Sequence, residues 1–342
     1  MHLVDRILGL CAAGSILALF ALPAVAEPTL DVVKKRGQLT CGVSGEVPGF
    51  SFFNAGKKWE GLDVDLCRAI ATAVLGEATK VKFIPVTAKQ RFEALKAGDF
   101  DVLARNTTVT LQRLAGFGVQ FAAVNYYDGQ AFAVETKLGI KNVTELRSST
   151  VCILKGTTHE ANMENWFKSH RLSVFPKVFD TQDEMYDAFF ANRCLAITDD
   201  ASAMASVIAR RGKAADYTIL PEVISKEPLG PFVRRGDDAW LEVVRWTHYA
   251  MIEAEERGIS WANVRDFRQS VDPDVKLFLG FTPGNGTALG LDDRWAYEIV
   301  KQVGNYGDSF ERNLGSGSPL NLARGINALW TKGGQMYPWP LH

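Results

Sequence analysis

The sequence has almost no excess of charge of either sign, and it has few cysteines and histidines. Its 38 lysines and arginines balance 39 aspartates and glutamates, which leaves a formal net charge of −1. Chains that bind nucleic acid or an anionic membrane surface carry a clear basic excess, so neither partner is expected. The five cysteines lack the closely spaced ligand pairs of a zinc site. No nucleophile–His–Asp arrangement is apparent either, and we expect no metal, no cofactor and no catalytic residue.

Long apolar runs are also missing, except for one near the N-terminus. It spans residues 7–22, follows Arg6, breaks at Pro23 and is followed by Ala24, Val25 and Ala26. The run is shorter than the ~20 apolar residues of a membrane-spanning helix, and its small-x-small ending is typical of a signal peptidase site. We therefore predict a cleaved signal peptide at residues 1–26 and a periplasmic mature protein. An uncleaved membrane anchor is the alternative.

Four cysteines remain after removal of the signal peptide, an even number in a chain bound for an oxidising compartment. They allow three pairings: the chain order favours Cys41–Cys67 and Cys152–Cys194, because the first two lie on neighbouring predicted elements and the last two come together much later. The other pairings stay open. Each bridge would stabilise the fold by ~3 kcal/mol in the chain-entropy model.

The order of predicted elements indicates two α/β units. A chain of 342 residues is long enough for roughly two domains at ~150 residues each, and no short repeat interrupts it. Strands and helices alternate over residues 38–104 and again over 150–200, as in parallel sheets. The extended runs 119–134 and 224–235 are predicted to be crossings between the two units. A long helix follows at 239–257, and the remainder is predicted to be mainly helical.

Short polar side chains lie at three predicted strand ends. Asn106, Thr108 and Arg113 follow the third strand of the first unit, Thr158 starts a helix in the second, and Asp200 ends a later strand. Ligands of open α/β sheets collect at the carboxyl ends of strands. An arginine and helix N-terminal amides suit a carboxylate, whereas an aspartate and a hydroxyl suit an ammonium group.

These residues have a simpler interpretation too. Threonines at a strand end are common turn residues, Arg113 could be a solvated helix residue, and Asp200 could cap the helix that begins at Ala201. If the ligand interpretation is correct, the two charged partners come from different units, so that binding a free amino acid draws the units together about a hinge.

The chain resembles periplasmic solute-binding proteins of the polar amino-acid uptake family, and among them the general L-amino-acid-binding proteins of ABC transporters. The resemblance covers essentially the whole mature chain. The motifs that carry it are Gly61-Leu62-Asp63-Val64-Asp65, Asn106-Thr107-Thr108 with Arg113, Asn125-Tyr126-Tyr127-Asp128-Gly129-Gln130, Gly156-Thr157-Thr158 and Thr198-Asp199-Asp200.

The resemblance implies a fold and a set of roles. The fold is α/β, with two lobes of the type II periplasmic binding protein joined by two hinge strands around a ligand cleft. Arg113 and the amide of Thr158 resemble the clamp for the α-carboxylate, while Asp200, Thr108 and the carbonyl of Asn106 resemble the ligands of the α-ammonium group.

The sequence also assigns several residues around the predicted cleft. Glu46 and Trp59 are expected to face the ligand side chain, with one of Trp59 and the nearby phenylalanines Phe50, Phe52 and Phe53 in contact with it. His159 is expected at the cleft edge or in solvent. Ser44 and Arg105 replace residue types that relatives carry around the side chain, so selectivity stays open.

The predicted organisation is a signal peptide at 1–26, the first part of lobe 1 at 27–128, lobe 2 at 129–234, and the rest of lobe 1 with a helical C-terminal extension at 235–342. The predicted protein is a monomer that captures free L-amino acids of a broad range and delivers them to an inner-membrane ABC permease. A dehydratase-like enzyme on the same scaffold and a sensory binding protein are the alternatives.

Overall fold

Two five-stranded sheets form the framework of the computed structural model, which describes residues 27–341. The predicted signal peptide and Cys11 lie outside these residues. In the described range, no helix has the length and apolar character needed to cross a membrane.

The strands are β1 (Leu39–Val43), β2 (Glu46–Val47), β3 (Ser51–Phe53), β4 (Trp59–Glu60), β5 (Val81–Pro85), β6 (Val102–Leu103), β7 (Val119–Phe121), β8 (Tyr126–Asp128), β9 (Gln130–Glu135), β10 (Thr150–Leu154), β11 (Phe175–Phe179), β12 (Ala196–Asp200), β13 (Tyr217–Ile219), β14 (Glu227–Leu229) and β15 (Phe232–Arg234). The helices are α1 (Thr29–Arg36), α2 (Leu62–Leu75), α3 (Arg91–Ala97), α4 (Leu111–Gly116), α5 (His159–Ser169), α6 (Gln182–Phe190), α7 (Ala201–Arg210), α8 (Asp238–Glu256), α9 (Pro273–Phe278), α10 (Asn285–Ala288), α11 (Trp295–Gln302) and α12 (Tyr306–Asn313). Short 3-10 turns lie at Thr136–Leu138, Val143–Leu146, Asp266–Gln269, Gly325–Asn327 and Trp330–Lys332.

The sheet of lobe 1 has the order β5-β1-β6-β15-β7, in which the first three strands are parallel and β15 is antiparallel to both neighbours. Helix α2 crosses from the β1 side to β5 and begins just after Gly61. The φ of Gly61 is 130°, and a Cβ atom there would lie 2.1 Å from the carbonyl oxygen of Phe50, so only glycine allows this close approach. A small sheet of β2, β3 and β4 lies beside it.

The sheet of lobe 2 repeats this plan with the order β11-β10-β12-β9-β13. Its first three strands are parallel, and β9 is antiparallel to both neighbours. Separate apolar clusters pack against it. The carboxyl ends of β6 and β12, where the sequence places its polar residues, face each other across the cleft between the lobes. The predicted two-lobed α/β fold is therefore confirmed.

The two crossings pair with each other as a two-stranded hinge, β8 with β14. The sequence predicts a single extended run over 119–134, which is wrong in detail. The structure divides it into β7 in lobe 1, β8 in the hinge and β9 in lobe 2. The breaks come where the chain leaves one sheet for another, at 122–125 and at Gly129.

Helices α9 to α12 follow the last strand and pack on lobe 1. The apolar faces of α11 and α12 meet α2 and α8 and extend the main hydrophobic core of that lobe. The structure contains disulfides Cys41–Cys67, between β1 and α2, and Cys152–Cys194, between β10 and the turn before β12. These are the two pairs that the order of elements favours, and each closes a loop within one lobe.

Candidate functional site

Three buried arginines line the lobe 1 wall of the cleft. Arg91 is the first residue of α3, Arg105 follows β6 and Arg113 lies on α4. Burial lowers the pKa of Arg105 and of Arg113 to about 10, so both stay protonated at neutral pH. The Nη1 of Arg113 donates to the carbonyl of Thr108 at 2.7 Å. This bond orients the guanidinium along the loop that the sequence singles out.

Arg91 is the least neutralised of the three. Its side chain is buried, with 3% of the residue exposed, and its Nε has no hydrogen-bond partner among residues 27–341. Burial lowers its pKa well below the usual range, and the positive charges of Arg113 and Arg105 lower it further. A buried guanidinium of this kind is stabilised by a nearby anion.

Asp63 holds the loop that presents these groups. Its Oδ2 accepts from the backbone N–H of Asn106 at 2.7 Å, and its Oδ1 accepts from Nδ2 of Asn125 at 3.0 Å. Asn106 has a φ of 32°, a conformation that asparagine tolerates better than most residues. Asp63 therefore joins α2, the binding loop and the start of the hinge, which explains why its motif accompanies the site motifs in the sequence.

The lobe 2 wall carries the opposite charge. Asp199 and Asp200 end β12, Thr158 precedes the first turn of α5, and all are in contact with the same small cavity as the arginines. The side chain of Asp199 accepts from Oη of Tyr186 at 3.0 Å and from Nε2 of Gln182 at 3.1 Å. These two hydrogen bonds hold the carboxylate of Asp199 in place. Asp200 is the second carboxylate of this wall.

His159 belongs to this wall, and the expectation of an edge or solvent position is wrong. It is buried, and its Nε2 lies 3.0 Å from Oδ1 of Asp200. Burial lowers its pKa, but the hydrogen bond to Asp200 and the charges of Asp200 and Asp199 outweigh that effect and raise the pKa to about 9. The ring is therefore an imidazolium at neutral pH. The charges of Asp199 and Asp200 stabilise the ring in this buried position. Local sequence alone predicts an exposed histidine on the first turn of a helix.

His159, Asp199 and Asp200 could also be considered as metal ligands, since suitable atoms lie within 4.8 Å of one another. The chemistry around them does not favour a cation. Asp199 already accepts a hydrogen bond from Tyr186, His159 is already paired with Asp200, and the three arginines face the same cavity. We therefore describe these three residues as an ion pair of His159 with the two aspartates rather than as a metal site.

The cleft is closed in this structure. The backbone N–H of Gln182 in lobe 2 donates to Oε2 of Glu46 in lobe 1 at 3.0 Å. The guanidinium of Arg210 stacks 3.8 Å from the ring centre of Phe52. Gly156 approaches lobe 1 so closely that a Cβ atom would lie 2.8 Å from Cα of Lys89.

Among the described residues, two cavities lie beside the charged walls of the closed cleft. The first, between the arginines and the aspartates, has a volume of about 20 Å³, close to that of a single water. The second has about 150 Å³ and is lined in part by Ser44 and Glu46. Arg105, Leu154 and Gln182 line both, so the two cavities are neighbours on either side of these side chains. Entry of an amino acid requires the lobes to separate.

The predicted site residues are brought together with one exception. Arg113, Thr108, Asn106, Thr158 and Asp200 all line the small cavity, and Glu46 lines the larger one.

The exception is Trp59, which lines neither cavity. Its ring packs against Phe53 and Phe83 on the side of lobe 1, because β4 pairs with β3 beside the main sheet. Phe50 packs against Tyr126, and Phe52 meets Arg210. None of Trp59, Phe50, Phe52 and Phe53 lines either cavity in this closed conformation, and their contact with the ligand side chain stays a prediction.

Two charged residues of the site were missed from the sequence. Arg91 falls in the alternating strands and helices of residues 38–104 and is not singled out there, although it shares the buried face of α3 with Phe92 and Leu95. Glu227 on β14 was assigned only to a crossing. It is buried and contacts residues of both lobes, and only the pairing of the hinge strands brings it there.

Known proteins resemble this chain over nearly its whole length. Residues 39–258 match the model for bacterial extracellular solute-binding proteins, family 3. The general L-amino acid-binding periplasmic protein AapJ of Rhizobium johnstonii is 46% identical, over 98% of this chain and 99% of that one. The glutamate/glutamine/aspartate/asparagine-binding protein BztA of Rhodobacter capsulatus is 44% identical, over 95% of this chain and 96% of the other.

Among solved structures, a periplasmic binding protein of an ABC transporter from Brucella ovis, with glutathione bound, superposes with a TM-score of 0.90. It is 47% identical and covers 92% of this chain and 100% of its own. The family match, the relatives and the two facing walls agree, and this chain belongs to the bacterial extracellular solute-binding proteins of family 3.

Proposed function

We propose that this protein captures free L-amino acids in the periplasm and delivers them to an inner-membrane ABC permease. The observation that carries the proposal is the pairing of a basic wall with an acidic wall across one small cavity. An α-amino acid has one carboxylate and one ammonium group on the same carbon, so each wall offers a partner for one of its two charges. The general L-amino-acid specificity of AapJ supports the same conclusion.

The orientation of the ligand follows from the walls. Arg113 of lobe 1 and the backbone amide of Thr158 at the start of α5 hold the α-carboxylate. Asp200, the hydroxyl of Thr108 and the carbonyl of Asn106 hold the α-ammonium. Since Arg113 and Asp200 belong to different lobes, the bound zwitterion bridges them and stabilises the closed cleft.

The side chain of the ligand points toward Arg105, Ser44 and Glu46. The larger cavity there is lined by both polar and apolar groups and carries both signs of charge, which supports a broad range that includes acidic and amide side chains. BztA, whose named ligands are glutamate, glutamine, aspartate and asparagine, fits this chemistry.

A γ-glutamyl peptide is a second candidate ligand. The closeness of the two cavities at Arg105 favours it, because a γ-linked extension that passes Arg105 would reach the larger cavity. The Brucella ovis protein, which holds glutathione, supports this candidate. Such a ligand presents the same zwitterion to the clamp.

The function is that of a monomeric carrier without catalytic activity, and the protein reaches the periplasm after cleavage of its signal peptide. The test is calorimetric titration of the refolded, ligand-stripped mature protein with the common L-amino acids and glutathione, and mass spectrometry of each mixture after incubation. Binding with unchanged ligand supports the carrier. Chemical conversion of a ligand supports an enzyme on the same scaffold, and absence of binding refutes the proposal.

A further inference from the structure

Glu227 is a buried carboxylate at the point where the hinge meets the site. It begins β14, the second hinge strand, and only 1% of its surface is exposed. The carbonyl of Pro228, the next residue, accepts from the N–H of Val109, and Leu229 forms a bridge with Thr108. The backbone of Glu227 is thus fixed against the binding loop of lobe 1, while its side chain extends toward lobe 2.

Four donors surround this carboxylate. Its Oε2 accepts from Oγ1 of Thr108 at 2.5 Å and from Oγ1 of Thr158 at 2.9 Å. Its Oε1 accepts from Nδ2 of Asn162 at 2.8 Å and from Oγ of Ser225 at 2.6 Å. An ionised carboxylate accepts about four hydrogen bonds and has no hydrogen to donate. Each partner must therefore donate, and the acceptor capacity of Glu227 is filled.

This arrangement fixes the direction of both threonine hydroxyls. A hydroxyl has one hydrogen and two lone pairs, and Thr108 and Thr158 each give their single hydrogen to Glu227. Toward the cavity, their oxygens can only accept. An acceptor suits an ammonium group and repels a carboxylate, so the carboxylate of a ligand is left to Arg113 and to backbone N–H groups.

We propose that Glu227 is a positioning residue that holds the hydroxyls of Thr108 and Thr158 as acceptors and thereby makes the site selective for ligands with an α-ammonium group. The inference rests on the proposed function. Glu227 itself lies behind the two threonines and acts through them.

A glutamine at position 227 would remove this constraint. Its amide has one oxygen and an NH₂ group that donates. Where the NH₂ group faces a threonine, that hydroxyl accepts from it and turns its own hydrogen toward the cavity. The site then presents a donor where the ammonium group of the ligand needs an acceptor.

The test compares an L-amino acid with the same molecule without its amino group, such as L-glutamine and its deaminated acid. Calorimetry gives the Kd of each for wild type and for Glu227→Gln, and the selectivity is the ratio of the two constants. We expect Glu227→Gln to reduce this ratio by about 10-fold or more, because one hydrogen bond to a charged group is lost from the amino acid alone. The Kd of the deaminated acid is expected to stay the same or to fall.

Asp128→Asn is the matched control. Asp128 lies on β8 directly opposite Glu227 in the hinge ladder, and its carboxylate contacts Ser202 and Gly129 rather than a threonine of the site. Loss of this hinge carboxylate is expected to leave the selectivity ratio within about 3-fold of wild type, since any effect on hinge closure alters both ligands equally.

Thr108→Val tests the same claim if Glu227→Gln does not fold. It removes the hydroxyl and keeps the shape of the side chain, so the ratio should fall as it does in Glu227→Gln. Thermal unfolding of each variant verifies the fold. A wild-type ratio in either folded variant overturns the role of Glu227 while the amino-acid carrier stands. If wild type binds neither the amino acid nor its analogue, both the inference and the proposed function fail.

Discussion

The two walls of the cleft differ in how their charges are balanced. On lobe 1, Arg91, Arg105 and Arg113 all line the cavity. Glu46 and Asp63 of the same lobe offset part of the charge of Arg105. On lobe 2, Asp199 and Asp200 share the imidazolium of His159. The basic wall thus keeps a net positive charge from three arginines, whereas His159 neutralises part of the negative charge of the acidic wall. The walls should therefore respond differently to the loss of one charge.

The largest effect is expected from Asp200→Ala. It removes the acidic partner of the ligand ammonium, and it also removes the hydrogen bond and the charge that raise the pKa of His159. We expect amino-acid binding to weaken by more than ~2 kcal/mol, a loss of at least about 30-fold in affinity. Calorimetry on the folded variant measures this loss. Wild-type affinity in the variant would show that Asp200 does not bind the ammonium group of the ligand.

Arg113→Ala is expected to weaken binding by ~2 kcal/mol. The effect should be smaller than for Asp200, because Arg91 and Arg105 remain on the same wall and can partly replace the lost charge. Arg113→Lys, which keeps the charge but not the planar two-pronged donor, should give an intermediate Kd. If Arg113→Ala weakens binding more than Asp200→Ala does, Arg91 and Arg105 do not replace the lost charge.

Arg91→Met is expected to act on ligand choice. It replaces the guanidinium by an apolar chain of similar length, so a ligand with a second carboxylate should lose about 10-fold in affinity relative to a neutral one. Titration with L-glutamate and L-glutamine gives the two constants. An equal loss for both ligands would show that Arg91 serves the fold or the α-carboxylate rather than the side chain.

The ion pair of His159 predicts a pH dependence of stability. The folded state raises its pKa from the ordinary value of 6.5 to about 9. The stabilisation is thus fully present below pH 6.5 and is lost as the pH rises toward 9. Unfolding in urea at pH 6.5 and pH 9 should show lower stability at the higher pH, and His159→Gln should show a smaller difference. If the free energy of unfolding changes equally with pH in wild type and in the variant, the pH dependence arises from other groups.

The smallest effect is expected from Phe52→Leu at the mouth of the cleft. The variant removes the stacking of Arg210 on the ring and keeps an apolar side chain. An exposed contact of this kind contributes about 0.5–1 kcal/mol, so the Kd should rise about 2- to 5-fold for every ligand. A change that differs between ligands would place Phe52 in contact with the side chain after all.

The sequence is sufficient to predict the position of site residues that follow a strand or start a helix. Thr108, Arg113, Thr158 and Asp200 come at such positions, and parallel sheets bring the carboxyl ends of their strands to one edge. Their spacing along the chain therefore predicts their place in space. The cysteine pairs were accessible for the same reason, since each joins elements of one α/β unit.

Residues whose place depends on pairing between distant segments were not accessible in this way. Glu227 reaches Thr108 only because β14 pairs with β8 and runs beside the binding loop, 119 positions away in the chain. His159 was predicted to be near solvent because its local sequence is that of an exposed helix start. Its burial follows from Asp200, 41 positions later. Trp59 was placed at the cleft because the sequence does not show which side β4 takes beside β3.

The central claim is that the two walls recognise both charges of the zwitterion together. The most direct measurement is a calorimetric comparison of wild type with three matched ligands: L-glutamine, its deaminated acid and its decarboxylated amine. Each analogue leaves one buried charge of the protein unpaired, so we predict that each binds at least about 30-fold more weakly than L-glutamine. An analogue that binds as tightly as L-glutamine would contradict the account.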